Sequence, residues 1–263
     1  MDPDTIEKPS TDGVANPKRP TCQQTLRESV TISGRGLMLG EEATVTIEPA
    51  AVGHGIVFER IDLDPPVRIP ALIEYAIERD RRTTLQREGA SVETVEHCLS
   101  ALSGLGIDNA LLRVTGPELP LGDGSALPWL EPLQAVGLQE QDAERNLLKV
   151  HRPVVIEENG AMIAAFPCEH RTTQLLYELD YGSKSDRIDS QAFGFSLGDD
   201  DYATALASAR TYSLEEEAQS LWDQGLCRHL TPRDALVIGP DGPIDNAFRF
   251  QNEPGPQSLA PLS

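Results

Sequence analysis

Apolar and polar residues alternate over positions 25–32 and again over 43–47, the period of a strand with one buried face. Gly34, Gly36 and Gly40 make the stretch between them a turn, so the ordered chain opens with a β-hairpin. Such a turn can cradle phosphate, but this one joins two strands and opens no helix. Residues 55–60 read as another strand, stopped by Asp64-Pro65-Pro66, and residues 69–77 as a strand or short helix. A polar stretch, 80–85, leads to a strand edge, and 109–114 is apolar enough for a buried strand.

The period lengthens after Ser91. Val95, Leu99 and Leu102 recur at i, i+4 and i+7, one helical face, and Gly104-Leu105-Gly106 supplies the stop. With Ser91 as the residue accepting a backbone N–H at the start, the pattern predicts a helix with Glu96 and His97 in its first turn. A second helix is predicted over 126–137, with Trp129, Leu130 and Leu133 inward. Asp123 and Ser125 before it suit caps better than catalysis.

The charged run Asp142-Ala143-Glu144-Arg145-Asn146 divides the chain. Beyond it, 150–157 and 162–167 form a hairpin through Asn159-Gly160, followed by strands at 175–181 and 190–197. Helices are predicted at 199–206 and 214–223, and a strand at 234–238 ahead of a turn. Each half runs from strands to helices, which predicts an α+β fold of two similar units, 21–143 and 147–250. The flanks 1–20 and 251–263 carry no periodicity and read as unstructured tails.

Composition narrows the function. Among 263 residues, 22 Lys and Arg face 42 Asp and Glu, a net charge of -20 that excludes a nucleic-acid partner. Cys22, Cys98, Cys168 and Cys227 form no framework or metal spacing and read as free thiols in a reducing compartment. No apolar leader or membrane-length run occurs, so the expectation is a cytoplasmic protein without a transmembrane segment.

Adjacent helical side chains point about 100° apart, so Glu96 and His97 flank a third atom rather than share one metal. That geometry suits an imidazole ligand beside a carboxylate base, with a metal-bound water between them. The rival pairing is Glu93 with His97, at i and i+4, and the bland reading is a solvated helix start.

Several motifs in order change that balance: Gly34-Arg35-Gly36-Leu37, Asp62-Leu63-Asp64-Pro65-Pro66-Val67, Thr94-Val95-Glu96-His97, Leu102-Ser103-Gly104-Leu105-Gly106-Ile107-Asp108-Asn109 and Pro117-Glu118-Leu119-Pro120 with Asp123-Gly124-Ser125. Ala209-Arg210-Thr211, Gly225-Leu226-Cys227 and Phe248-Arg249-Phe250 complete the set. Together they resemble the zinc-dependent UDP-3-O-acyl-N-acetylglucosamine deacetylases of lipid A synthesis, over about residues 25–253. The resemblance implies two domains, each a small sheet with helices packed on one face, and an active site where they meet. It implies hydrolysis of the N-acetyl group of a UDP-linked acylated glucosamine. In it His97 is a zinc ligand, Glu96 the general base, Thr211 the hydrogen-bond donor to the developing oxyanion, and Tyr212 a contact to the sugar or nucleotide.

The departures are as informative. The family continues after Phe-Arg-Phe-x-x-Glu into a helix bearing His-Lys-x-x-Asp, whose His and Asp complete the zinc site, whereas this chain reads Gly255-Pro256-Gln257-Ser258-Leu259. A further downstream His is also missing, and Met38 stands where the family usually has His. His54, His151, His170 and His229 have no partner at ligand spacing and read as surface or capping residues. The resemblance therefore implies an incomplete zinc site and a truncated second domain. The expectation from the resemblance is zinc-dependent deacetylation, with a catalytically inactive UDP-sugar-binding relative or the product of a truncated gene as the alternative.

Overall fold

The computed structural model describes residues 20–158, 160–168, 173–182, 185, 187–250 and 252–259, the last three as backbone only. Its first strands are β1 (Cys22–Leu26), β2 (Val30–Arg35), β3 (Glu42–Pro49), β4 (Ile56–Arg60) and β5 (Val67–Pro70). After a single 3-10 turn come β6 (Ala76–Ile77), β7 (Thr84–Arg87) and β8 (Ala90–Glu93). Helix α1 (Glu96–Leu105), strand β9 (Ala110–Val114), helix α2 (Leu127–Val136) and strand β10 (Leu138–Glu144) finish the first half.

Strands β2-β3-β9-β4-β5 form one five-stranded sheet in that order, with β4 parallel to β9 and the other pairs antiparallel. Alternation decides its buried face. Val45 and Ile47 of β3 and Leu112 and Val114 of β9 are fully buried and pack with Leu102 of α1 and Trp129, Leu130 and Leu133 of α2. Gly106, left-handed at φ 75°, closes α1 as the sequence pattern indicates. Strands β6, β7 and β8 make a small antiparallel sheet that leads directly into α1.

The second half carries the hairpins β11 (Val154–Glu158) with β12 (Ala161–Ala165) and β13 (Thr173–Leu179) with β14 (Gln191–Leu197). Then follow α3 (Tyr202–Ala205), β15 (Tyr212–Leu214), α4 (Glu215–Asp223), β16 (Leu236–Gly239), β17 (Gly242–Pro243) and α5 (Pro254–Leu259). β15 and β16 are parallel, so β15, α4 and the chain after it form a strand-helix-strand crossover, with the four residues of β16 all buried. The halves share one apolar cluster: Phe195, Leu197, Tyr202 and Leu206 belong to the same core as the α1 and α2 residues. Tyr202 is the bolt. Its hydroxyl lies 2.6 Å from that of Ser100, and its ring covers Gly104, where a Cβ would come within 2.4 Å of it.

The α+β class predicted from the sequence is the class observed, but several boundaries move. Ser91 is no helix cap: it lies in β8, opposite Gln86 of β7, because the edge of the small sheet claims it before the helix begins. Strand β10 extends into the charged run at 142–146 as far as Glu144 and pairs with β1, and Arg145 bonds to Asp108. Residues 254–259 form α5 against β13 and β14 instead of a patternless tail, with Pro254, Gly255 and Pro256 buried. The expected tail at 1–19, the turn residue Asn159 and His170 lie outside the described residues.

Candidate active site

The site is built around an abrupt strand-to-helix junction. Strand β8 ends at Glu93, Thr94 turns into the left-handed region at φ 57°, and α1 opens at Glu96. A β-branched residue there is strained by on the order of 1–2 kcal/mol. Its hydroxyl compensates by donating to Glu118 Oε1 at 3.0 Å, and both residues are buried. The turn places Glu96 and His97 side by side at the start of α1.

The two side chains differ in state. Burial raises the Glu96 carboxyl above its usual range, even though Oε2 accepts the Thr83 N–H at 3.1 Å. Burial pushes the His97 imidazole down to about 4 against the opposing charge of Asp123, so at neutral pH it is uncharged and keeps a free lone pair. The rival pairing fails: Glu93 belongs to β8 and is tied to Arg82 Nε at 2.6 Å.

Loop 121–125 gathers the remaining groups. Asp123 Oδ1 accepts from the N–H and hydroxyl of Ser125 at 3.0 and 2.7 Å, and Oδ2 accepts from Arg249 Nη2 at 2.6 Å. Burial works to raise the Asp123 carboxyl, but Ser125 and Arg249 outweigh it and hold it below the usual range. Ser125 Oγ also accepts the Leu127 N–H at 3.3 Å, but the N-cap position of α2 is Ala126, so Ser125 is not the helix cap expected of it. Thr211 N–H donates to Gly124 O at 2.6 Å, so Thr211 sits against the loop that carries Asp123. Thr211 and Tyr212 also line a cavity of about 350 Å³, whose apolar wall includes Leu37, Met38, Leu221, Trp222, Leu230 and Val237.

The family described as UDP-3-O-acyl N-acetylglycosamine deacetylase matches residues 23–255, nearly all of the described chain. The chain belongs to this deacetylase family. A UDP-3-O-acyl-N-acetylglucosamine deacetylase of Myxococcus xanthus is 37% identical over 237 residues, covering 88% of this chain and 73% of the relative. The protein of that name from Thermosynechococcus vestitus is 38% identical over 242 residues, covering 92% and 83%. That from Legionella pneumophila is 33% identical over 232 residues, covering 88% and 76%.

A deacetylase that uses zinc needs about three protein ligands. The neutral, buried His97 has the form of one. Among the described residues, however, no group of three His, Cys, Asp or Glu is placed to hold a metal ion. Asp123 is already engaged by Arg249, and His229 points elsewhere, with Nε2 2.9 Å from Gly36 O. The described residues therefore do not fit a catalytic zinc.

Three groups have roles that sequence reasoning missed. Glu118, 3% exposed, accepts the Met38 and Leu39 N–H groups at 2.7 and 3.1 Å as well as the Thr94 hydroxyl, joining the Gly-rich turn to the start of α1. Arg210 is held by Glu253, which aligns the backbone next to Thr211. Arg81 reaches α4 through Glu217 at 2.7 Å. The motifs containing Glu118, Arg210 and Glu253 were visible; their partners, 24 to 80 residues away, were not.

Proposed function

We propose that the chain recognises a UDP-linked 3-O-acyl-N-acetylglucosamine and that its chemistry is hydrolysis of the N-acetyl group, a step of lipid A synthesis. The family match over residues 23–255, with Glu96 and His97 paired at the start of α1, carries this reading. In it Glu96 takes the proton from the attacking water, which its raised basicity favours. Thr211 donates to the oxygen that becomes negative as the amide carbon turns tetrahedral. Tyr212 lies against the sugar or nucleotide, and the apolar wall of the cavity beside it receives the acyl chain. His97 is uncharged and buried, the form a metal ligand takes, but the described residues complete no zinc site around it.

The absence of a three-donor group among the described residues favours a second reading, a binding protein that keeps the acyl-UDP-sugar cleft without hydrolysing its ligand. In both readings the protein works in the cytoplasm. Four free cysteines support that placement, and among the described residues no helix is long and apolar enough to cross a membrane.

Zinc content after dialysis separates the two, measured for the 263-residue chain and for Glu96→Ala and His97→Ala, together with acetate release. About one zinc per chain, lost only in His97→Ala, establishes the hydrolase. A zinc-free protein whose melting temperature still rises with acylated UDP-sugar establishes the binding protein. A zinc-free protein with no such rise rules out both.

A further inference from the structure

The cavity beside Thr211 is not apolar all the way round. Of the residues lining it, Arg81 and Glu217 alone are charged, and Arg81 Nη2 lies 2.7 Å from Glu217 Oε1. Their side chains are 42% and 27% exposed, whereas Met38 and Val237 on the same wall are 3% and 6% exposed. The pair therefore occupies the rim. Arg81 belongs to the turn between β6 and β7, and Glu217 to the first turn of α4, so the contact joins two separate parts of the chain across the opening.

Both residues are held in place. Glu217 Oε2 accepts the Leu214 N–H at 2.9 Å and caps α4, which leaves Oε1 aimed at Arg81. Arg81 has φ 60°, a left-handed backbone that a non-glycine residue keeps only when its surroundings fix it. Beside them the Tyr181 hydroxyl donates to that of Tyr212 at 3.4 Å, a second link on the same wall. The Glu217 bond raises the Arg81 guanidinium further above its usual range, as a formed pair should.

We propose that Arg81 and Glu217 form a latch across the rim of the cavity and set the length of apolar chain that it admits. This rests on the reading that the cavity receives the acyl group. A cavity of about 350 Å³ admits an apolar chain of limited length. Each methylene buried within that length strengthens binding about fourfold. The next one meets a charged pair and must either part it or fold back. Because the pair is half in water, the latch yields to longer chains at a penalty instead of excluding them.

The test is calorimetric titration of the wild-type chain, Arg81→Ala and Glu217→Gln with a series of UDP-3-O-acyl-N-acetylglucosamines whose acyl chains lengthen one methylene at a time. UDP alone serves as the reference ligand. Glu217→Gln keeps an oxygen for the Leu214 N–H, so α4 stays capped while the charge is lost. In the wild type, affinity should climb about fourfold per methylene and then flatten. In both variants the climb should continue, leaving the chain two methylenes longer bound on the order of tenfold more tightly than by wild type. UDP should bind all three alike. Flattening at the same length in all three overturns the latch. Indifference to chain length with UDP binding intact removes the acyl chain from this cavity, and the latch with it. Failure of UDP to bind as well overturns the substrate reading itself.

Discussion

Glu253 is fully buried and receives four hydrogen bonds: from Arg210 Nε and Nη2 at 2.7 and 2.9 Å, and from the backbone N–H groups of Arg210 and Arg249 at 3.1 and 2.8 Å. The Arg210 guanidinium, itself 9% exposed, donates further to Asn246 and the Ala247 carbonyl. Breaking such a pair strands one charge, which costs about 3 kcal/mol or more. Glu253→Gln should therefore lower the melting temperature by roughly 6–12 °C for a chain of this size. Adding Arg210→Met should recover part of the loss, because no uncompensated charge then remains. Thermal melts of the two variants decide it: an unchanged single variant, or a double variant that melts still lower, would sink the account. None of this is local. Arg210 and Glu253 each stood in a recognisable motif, but 43 residues separate them, and periodicity carries no information at that range.

At the scale of elements, legibility followed the range of the forces that shape each one. The β2–β3 hairpin, β9, α2 and α4 have clear periods and appear near the predicted positions. Helix α1 has the right stop and the wrong start, because Ser91 gains more from β7 as a strand residue than it would as a cap, and Thr94 then makes the turn. Strand β10 was missed, since its alternation is mostly of charged and amide side chains and its pairing to β1 bridges more than a hundred residues.

The Gly-rich turn before β3 shows the same effect. It reads as a hairpin turn, but its shape is dictated by Glu118. A Cβ on Gly36 would lie 2.3 Å from Glu118 Oε2 and 2.6 Å from its Cδ, and Glu118 cannot swing aside without losing Met38, Leu39 and Thr94. Gly36→Ala should cost about 3 kcal/mol or more, the sum of a clash and weakened bonds to a buried carboxylate. Gly53→Ala is the control: φ is 72° with no atom near the added methyl, so only backbone strain of about 1–2 kcal/mol is incurred. Denaturant titration of both variants measures the difference. Equal losses would mean that Glu118 does not anchor this turn.

For the whole molecule, the sequence divides into two similar units at 143–147, whereas the buried apolar residues run on from one half to the other. Phe195, Leu197, Tyr202 and Leu206 join the core of α1 and α2, and Ser100 and Tyr202 tie the halves by a buried hydroxyl pair. A shared core makes the unfolding of one half expose the other, so the chain should melt as a single cooperative unit. Its two tryptophans are well placed to report this. Trp129 is buried in α2 of the first half, and Trp222 belongs to α4 of the second. Trp222→Phe leaves a probe of the first half alone, and Trp129→Phe a probe of the second. Within each variant, the fluorescence midpoint in denaturant should coincide with the midpoint of the far-ultraviolet circular dichroism, which averages over both halves. Separate midpoints would instead establish two independently folding domains. The contacts across the halves would then be a docking interface, and the junction where Thr211 bonds to the loop that carries Asp123, beside His97, would open before either half unfolds.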